Sequence, residues 1–166
     1  MRSSLRLPVV VVVLCSALAF AQAKPGVLSA DEVKHLAPSS YFFSGQTAPV
    51  QLRNSTGFRS ADNKVVLVGL VDTSGYAADV QQKYMGFFIT ETKLKVGDAE
   101  ISPGQYGFGF SKDGKFMLLD VAANEVASTA SAKDDKLARP VPLKMIADGD
   151  AYKLYSGKNW VSIKPE

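Results

Sequence analysis

The sequence predicts a mainly β fold, an antiparallel sandwich or small barrel of about 8–9 short strands, with one short helix at its start. Three observations predict it. Short apolar runs recur from Tyr41 to the C-terminus. Turn-forming pairs such as Gly97-Asp98, Asp113-Gly114 and Asp148-Gly149 separate many of them, at intervals of roughly ten residues. No long helical pattern alternates with the runs, which argues against a doubly wound fold.

The helix lies between Pro25 and Pro38. Ser29-Ala30-Asp31-Glu32 is a capping box, in which the serine hydroxyl and the glutamate carboxylate satisfy each other's backbone amides. Val33 and Leu36 fall on one face, and Pro38 ends the helix by disfavouring helical backbone at Ala37. Tyr41-Phe42-Phe43 is an aromatic strand. Gly45 to Asn63 is polar and reads as an edge strand around Val50 to Leu52 plus a long loop. Val65 to Val71 is apolar almost throughout, as a central strand covered on both faces must be.

Tyr76, Val80 and Tyr84 stand four apart, which fits a helical turn within a connection. Met85 to Thr92 is the next strand. Hairpins follow. Leu94 to Val96 turns at Gly97-Asp98, and Gln105 to Phe110 turns at Asp113-Gly114 into Phe116 to Val121. An Asp-Gly pair favours positive φ at both central positions. Ala122 to Arg139 reads as a loop. Val141 to Ile146, Ala151 to Ser156 and Trp160 to Ile163 complete the strands. Within Tyr106 to Phe110, three aromatic residues alternate with Gly107 and Gly109, so the rings share one face and bare backbone the other. A core-facing stripe is the favoured reading; an aromatic wall of a ligand cavity is the other.

The N-terminus sets the expected compartment. Arg2 and Arg6 precede an apolar run from Leu7 to Phe20, and Ala-x-Ala patterns end at Ala21 and Ala23. This reads as a secretory signal peptide cleaved near Ala23. The run is shorter than the roughly 20 residues that span a bilayer, so no transmembrane segment is expected after cleavage. The division is then 1–23 signal peptide, 24–40 helix and lead-in, and 41–166 a single β domain, exported to the periplasm or the extracellular space. Cys15 is the only cysteine and lies within the apolar run, with Leu14 before it rather than the small residue lipidation requires. The mature domain is thus cysteine-free, which excludes disulfides, cysteine nucleophiles and thiolate metal sites. Without Arg2 and Arg6 the basic residues fall from 19 to 17 against 16 acidic ones, a balance near +1. No block of like charge suggests nucleic acid.

Chemical motifs are sparse. Asp72-Thr73-Ser74-Gly75 has a serine where an aspartic protease motif has glycine, and reads as a strand-ending turn. Gly107-x-Gly109 lacks the third glycine of a dinucleotide loop, since position 112 is Lys112. His35 is the only histidine and suits the end of the helix. Asp134-Asp135 and Asp148-x-Asp150 lack calcium-loop spacing and read as solvated turns. Glu91 follows Phe87-Phe88-Ile89 and reads either as a buried partner of Lys83, Arg53 or Arg139, or as a polar anchor in a pocket. Asn54-Ser55-Thr56 matches a glycosylation sequon. No metal site and no cofactor are expected.

Leu94-x-Val96-Gly97, followed by Ile101-x-Pro103-Gly104-x-Tyr106, resembles a hairpin of uncharacterised exported bacterial β proteins. The resemblance covers Lys93 to Asp120. The tryptophan-arginine segment usual upstream in that family is missing here, where Trp160 is the only tryptophan. The resemblance implies a β hairpin and a bacterial exported setting, and no activity.

Aromatic residues number 16 of 166, while nucleophile and metal constellations are missing. The sequence therefore favours a non-catalytic ligand-binding or envelope-associated module over an enzyme. Candidate ligand-binding residues are Tyr41, Phe43, Arg53, Tyr76, Tyr84, Glu91 and Tyr106. Tyrosines offer a flat apolar face with a hydroxyl handle, and Arg53 or Arg139 a fork for a carboxylate. The expected partner is a small apolar or carboxylate-bearing ligand, or a protein. Two alternatives stand: a carboxylate-dependent hydrolase or lyase using Asp72 and Glu91, and a structural or protein-interaction module with an exposed strand edge around Val50 to Leu52.

Overall fold

The computed structural model describes residues 24–166; the signal-peptide reading of 1–23 lies outside them. The fold is mainly β, with two antiparallel sheets and no closed barrel. The main sheet contains β1 (Gly26–Val27), β2 (Ser40–Phe43), β3 (Gln46–Arg59), β4 (Val65–Val71), β5 (Gly86–Thr90), β8 (Gly104–Phe110), β9 (Lys115–Leu119) and β10 (Glu125–Ala130). Its strand order is β1-β3-β4-β5-β8-β9-β10, with β2 attached to β3 alone. The second sheet contains β6 (Leu94–Val96), β7 (Ala99–Ile101), β11 (Ala132–Lys133), β12 (Val141–Asp148), β13 (Ala151–Gly157) and β14 (Asn159–Pro165). Its order is β12-β13-β14-β6-β7, and β11 also pairs with β14. Two short helices, α1 (Ala30–Leu36) and α2 (Ala78–Gln81), accompany them. Among the described residues no helix is long and apolar enough to cross a membrane.

The main sheet buries both its faces. Between the sheets, Phe58, Val66, Val68, Phe88, Phe108 and Leu118 meet Leu94, Leu154, Val161 and Ile163. On the outer face, Leu67, Val71, Phe87 and Leu119 pack with residues of α1, β2 and the α2 segment. This explains the continuous apolar run of β4: alternate residues feed two separate cores. In β8, Tyr106, Phe108 and Phe110 face the inner core, as the core reading of that stripe requires. The intervening glycines face outward, where a Cβ at Gly107 would overlap the Phe43 ring and one at Gly109 the Lys83 carbonyl. Close approach, not turning, is why these positions are glycine.

α1 forms with the expected capping box: the Ser29 amide donates to Glu32 Oε2 at 2.9 Å and the Glu32 amide to Ser29 Oγ at 3.3 Å. The lead-in is docked, with Gly26 opposite Arg59, Val27 opposite Phe58, and Val33 buried. Leu36, expected to share Val33's buried face, is exposed.

Three expectations are corrected. Gly45 to Asn63 is mostly strand: β3 is the longest element, its polar residues are exposed or half-buried, and its backbone pairs with β2 over Gln46 to Pro49 and with β4 at Val50 and over Ser55 to Arg59. Val50 is paired on both sides, to Ser39 and Val71, so the strand at Val50 is no free edge. Gln51 to Asn54 instead form a wide bulge between Val50↔Val71 and Ser55↔Gly69. Side chains hold it, with Asn54 Nδ2 donating to Gln51 Oε1 at 2.7 Å and Ser55 Oγ to the Gln51 carbonyl at 3.1 Å. Second, Ala122 to Arg139 holds β10 and β11, which carry the chain from one sheet to the other. Third, the Asp113-Gly114 turn puts only Gly114 at positive φ, +82°. The Ser111 amide donates to the Lys115 carbonyl, giving a three-residue loop with a bulge, not a two-residue turn.

Candidate functional site

β2 and the first half of β3 form a hairpin that lies over the outer face of the main sheet. Strand alternation turns Tyr41 and Phe43 inward, where they are buried, and Phe42 outward, where it is 55% exposed. The hairpin tip is anchored by the Ser44 amide, which donates to the Val121 carbonyl at 2.8 Å beyond the end of β9.

Four of the seven sequence-predicted site residues come together beneath this hairpin. Phe43 stacks on Tyr84 with ring centroids 3.8 Å apart, Tyr76 meets Tyr84 edge-on at 5.3 Å, and Tyr41 lies 5.6 Å from Phe87. The cluster is packed core. The Tyr76 hydroxyl donates to the Gln46 carbonyl at 3.4 Å, while the Tyr84 hydroxyl is buried without a hydrogen-bond partner. Burial pushes the Tyr41 hydroxyl up to about 12. It pushes Tyr84 up further, with smaller contributions from the nearby Tyr76 and Tyr41.

The other three lie elsewhere. Arg53 is exposed on the β3 bulge. Glu91 is exposed just beyond β5, and its Oε2 accepts the Val65 amide at 2.8 Å, so it extends the β4–β5 ladder instead of entering a buried ion pair. Tyr106 is half-buried against the inner core, and its hydroxyl donates to the Ser102 carbonyl at 2.9 Å, closing the turn that opens β8. Asp72 accepts the Ser74 amide at 3.0 Å in a strand-ending turn, and hydrogen bonds from Ser74 lower its pKa. Asp72 and Glu91 flank opposite ends of β4, roughly 20 Å apart at about 3.3 Å per residue, so they form no acid–base pair. Among the described residues no three His, Cys, Asp or Glu side chains converge to hold a metal ion.

What the fold does build is a groove beside the hairpin, about 440 Å³ in volume. Ile89 of β5 and its cross-strand neighbour Gln105 of β8 line it from the sheet. Ser40, Tyr41 and Phe42 line it from β2, Leu36 and Pro38 from the end of α1, and Val121 from beyond β9. No charged side chain lines it, and Arg53 and Arg139 are not part of it. Only Tyr41 among the predicted site residues belongs to it. A larger hollow of about 520 Å³ near Asp62, Asp150 and Glu166 lies between loops and chain ends. The slot between β7, β9 and β10 leaves no room for a water molecule.

One signal in the sequence pointed to the groove. In a strand reading Tyr41-Phe42-Phe43, two residues face the core, so the third must face away. Leu36, Ile89, Gln105 and Val121 carried no such signal, because only the path of the hairpin brings them together. No protein-family model, curated protein or solved structure matches the chain.

Proposed function

We propose that this protein is an exported, non-catalytic binding module that holds an apolar ligand in the groove beside β2. One observation carries the reading. Six large hydrophobic side chains are exposed among the described residues, and three of them, Leu36 at 43%, Phe42 at 55% and Val121 at 54%, converge on this one concavity. Exposed apolar side chains scattered singly mean little, whereas a concave cluster marks a binding surface. The volume is of the order that small-molecule sites occupy, and the Gln105 amide and Ser40 hydroxyl supply orienting polar groups. Export rests on the leader at 1–23, and the resemblance of the Lys93 to Asp120 hairpin to exported bacterial β proteins points the same way.

The test is a fluorescence titration of the mature protein with phenylnaphthylamine, an uncharged apolar dye suited to a lining without charge. Saturable binding is expected, weakened about tenfold or more in Phe42→Asp and Val121→Asp, each of which sets a charge in the groove. Binding unaffected by both substitutions places the site elsewhere. No saturable binding by the wild-type protein overturns the reading.

A further inference from the structure

We infer that the groove takes an extended peptide segment of a partner protein, added as a strand to the free edge of β2. The inference rests on the groove reading above and names its occupant. Its basis is the direction of the β2 backbone groups. The Val50 amide donates to the Ser39 carbonyl at 3.0 Å, and Ser40 lies opposite Pro49, Tyr41 opposite Ala48, Phe42 opposite Thr47 and Phe43 opposite Gln46. Hydrogen-bonded and non-hydrogen-bonded pairs alternate along an antiparallel ladder. Ser39, Tyr41 and Phe43 therefore turn their N–H and C=O groups toward β3, and Ser40 and Phe42 turn theirs away. Two observations agree. Pro49, which has no N–H, faces Ser40 at a non-hydrogen-bonded position. The next outward amide, that of Ser44, is already taken by the Val121 carbonyl.

The edge is thus closed at its tip and open at Ser40 and Phe42, where no strand of the described residues pairs with it. Both of these residues line the groove. Two N–H and two C=O groups alternating at strand spacing match another extended backbone better than a compact hydrocarbon. The open stretch suits a segment of about four residues. Alternate side chains of that segment would fall toward Ile89 and Val121, so apolar residues are needed at every second position. The lining carries no charge to neutralise, which selects an uncharged segment.

The probe is a capped peptide, Lys-Thr-Ile-Thr-Val-Thr-Lys, its lysines placed outside the contacting residues for solubility. Two further versions carry N-methyl groups on one alternate set of central amides or on the other. The expected result has two parts. Saturating peptide slows hydrogen exchange at the Ser40 and Phe42 amides by about tenfold or more. One methylated version loses binding while the other keeps it, because only one set of amides faces β2. Ser40→Pro, which removes an outward N–H and no ladder bond, is expected to weaken the peptide about fivefold.

If both methylated peptides bind as well as the parent, or the dye binds and the peptide does not, strand addition is overturned while the groove reading stands. If neither dye nor peptide binds, both fall. Protection of Ser40 and Phe42 that grows with protein concentration alone would assign the edge to a second copy of this chain and overturn the peptide partner.

Discussion

The two faces of the main sheet differ in how they are finished. The inner face is covered by a second sheet whose alternating strands supply Leu94, Leu154, Val161 and Ile163 to match Phe58, Phe88, Phe108 and Leu118. The outer face is covered piecemeal, by a seven-residue helix, a four-residue helix and a two-stranded hairpin. Sheet-on-sheet packing fills its space continuously, while small separate covers leave seams. The groove is such a seam, between the end of α1 and the open side of β2. A buried hydroxyl without a partner, that of Tyr84, lies on the same outer side. The inner face is thus the continuous core, while the outer face leaves the groove proposed above as a binding surface.

The largest effect expected from this division is on the inner face. Phe108→Ala removes a fully buried ring between the sheets and should cost about 3–5 kcal/mol in urea unfolding. A loss comparable to that of a surface substitution would mean that the inner core is not what holds the domain together.

The outer face should reveal itself in alkali. Tyr41 is held neutral by burial up to about 12, above the ordinary value of 10.0. A raised tyrosine pKa means that the unfolded chain loses its proton first. The stabilisation is therefore complete below pH about 10 and is lost as pH rises through about 12, on the order of 2–3 kcal/mol for Tyr41 alone. Tyr84 shifts the same way and adds to the loss. Unfolding followed by tyrosinate absorbance should become cooperative in this window. Independent titration of all six tyrosines near pH 10 would contradict the buried cluster.

Tyr84→Phe should stabilise by about 1 kcal/mol, since it deletes a buried hydroxyl that has no partner. A destabilised variant would show that the hydroxyl is hydrogen-bonded in solution. The smallest effect sharpens the contrast most. Phe42→Ser should leave stability within about 0.5 kcal/mol, because the ring is more than half exposed, while it weakens dye binding in the groove severalfold, less than Phe42→Asp does. A large loss of stability would make Phe42 part of the core and remove it from the binding surface.

Several features were legible from residues alone, each because the physics is local. The capping box fixes where α1 begins. The unbroken apolar run of Val65 to Val71 requires cover on both faces, which β4 has. The aromatic-glycine alternation of Tyr106 to Phe110 requires one packed face and one face of close approach, which β8 has. The polar segments misled for an equally physical reason. β3 and β10 are stabilised by ladder hydrogen bonds that side-chain composition does not report, so their Ser, Thr, Asn and Gln residues read as loop. Three of the four predicted tyrosines, Tyr41, Tyr76 and Tyr84, did come together, in part because Tyr76, Val80 and Tyr84 share one side of a short helical connection, but they meet as core packing around Phe43 and Phe87.

By itself, then, the sequence determined the class of fold, the alternation of inside and outside in the apolar strands, and the positions of the glycine turns, all of which depend on neighbours a few residues away. Only the tertiary structure decided which face of the main sheet is left incompletely covered and which strand keeps an open edge. Those depend on where the Ser44 tip comes to rest against Val121, and on the meeting of Leu36, Phe42 and Ile89 from separate elements. Such proximity is set by the path of the chain through space, and no periodicity along it records the distance.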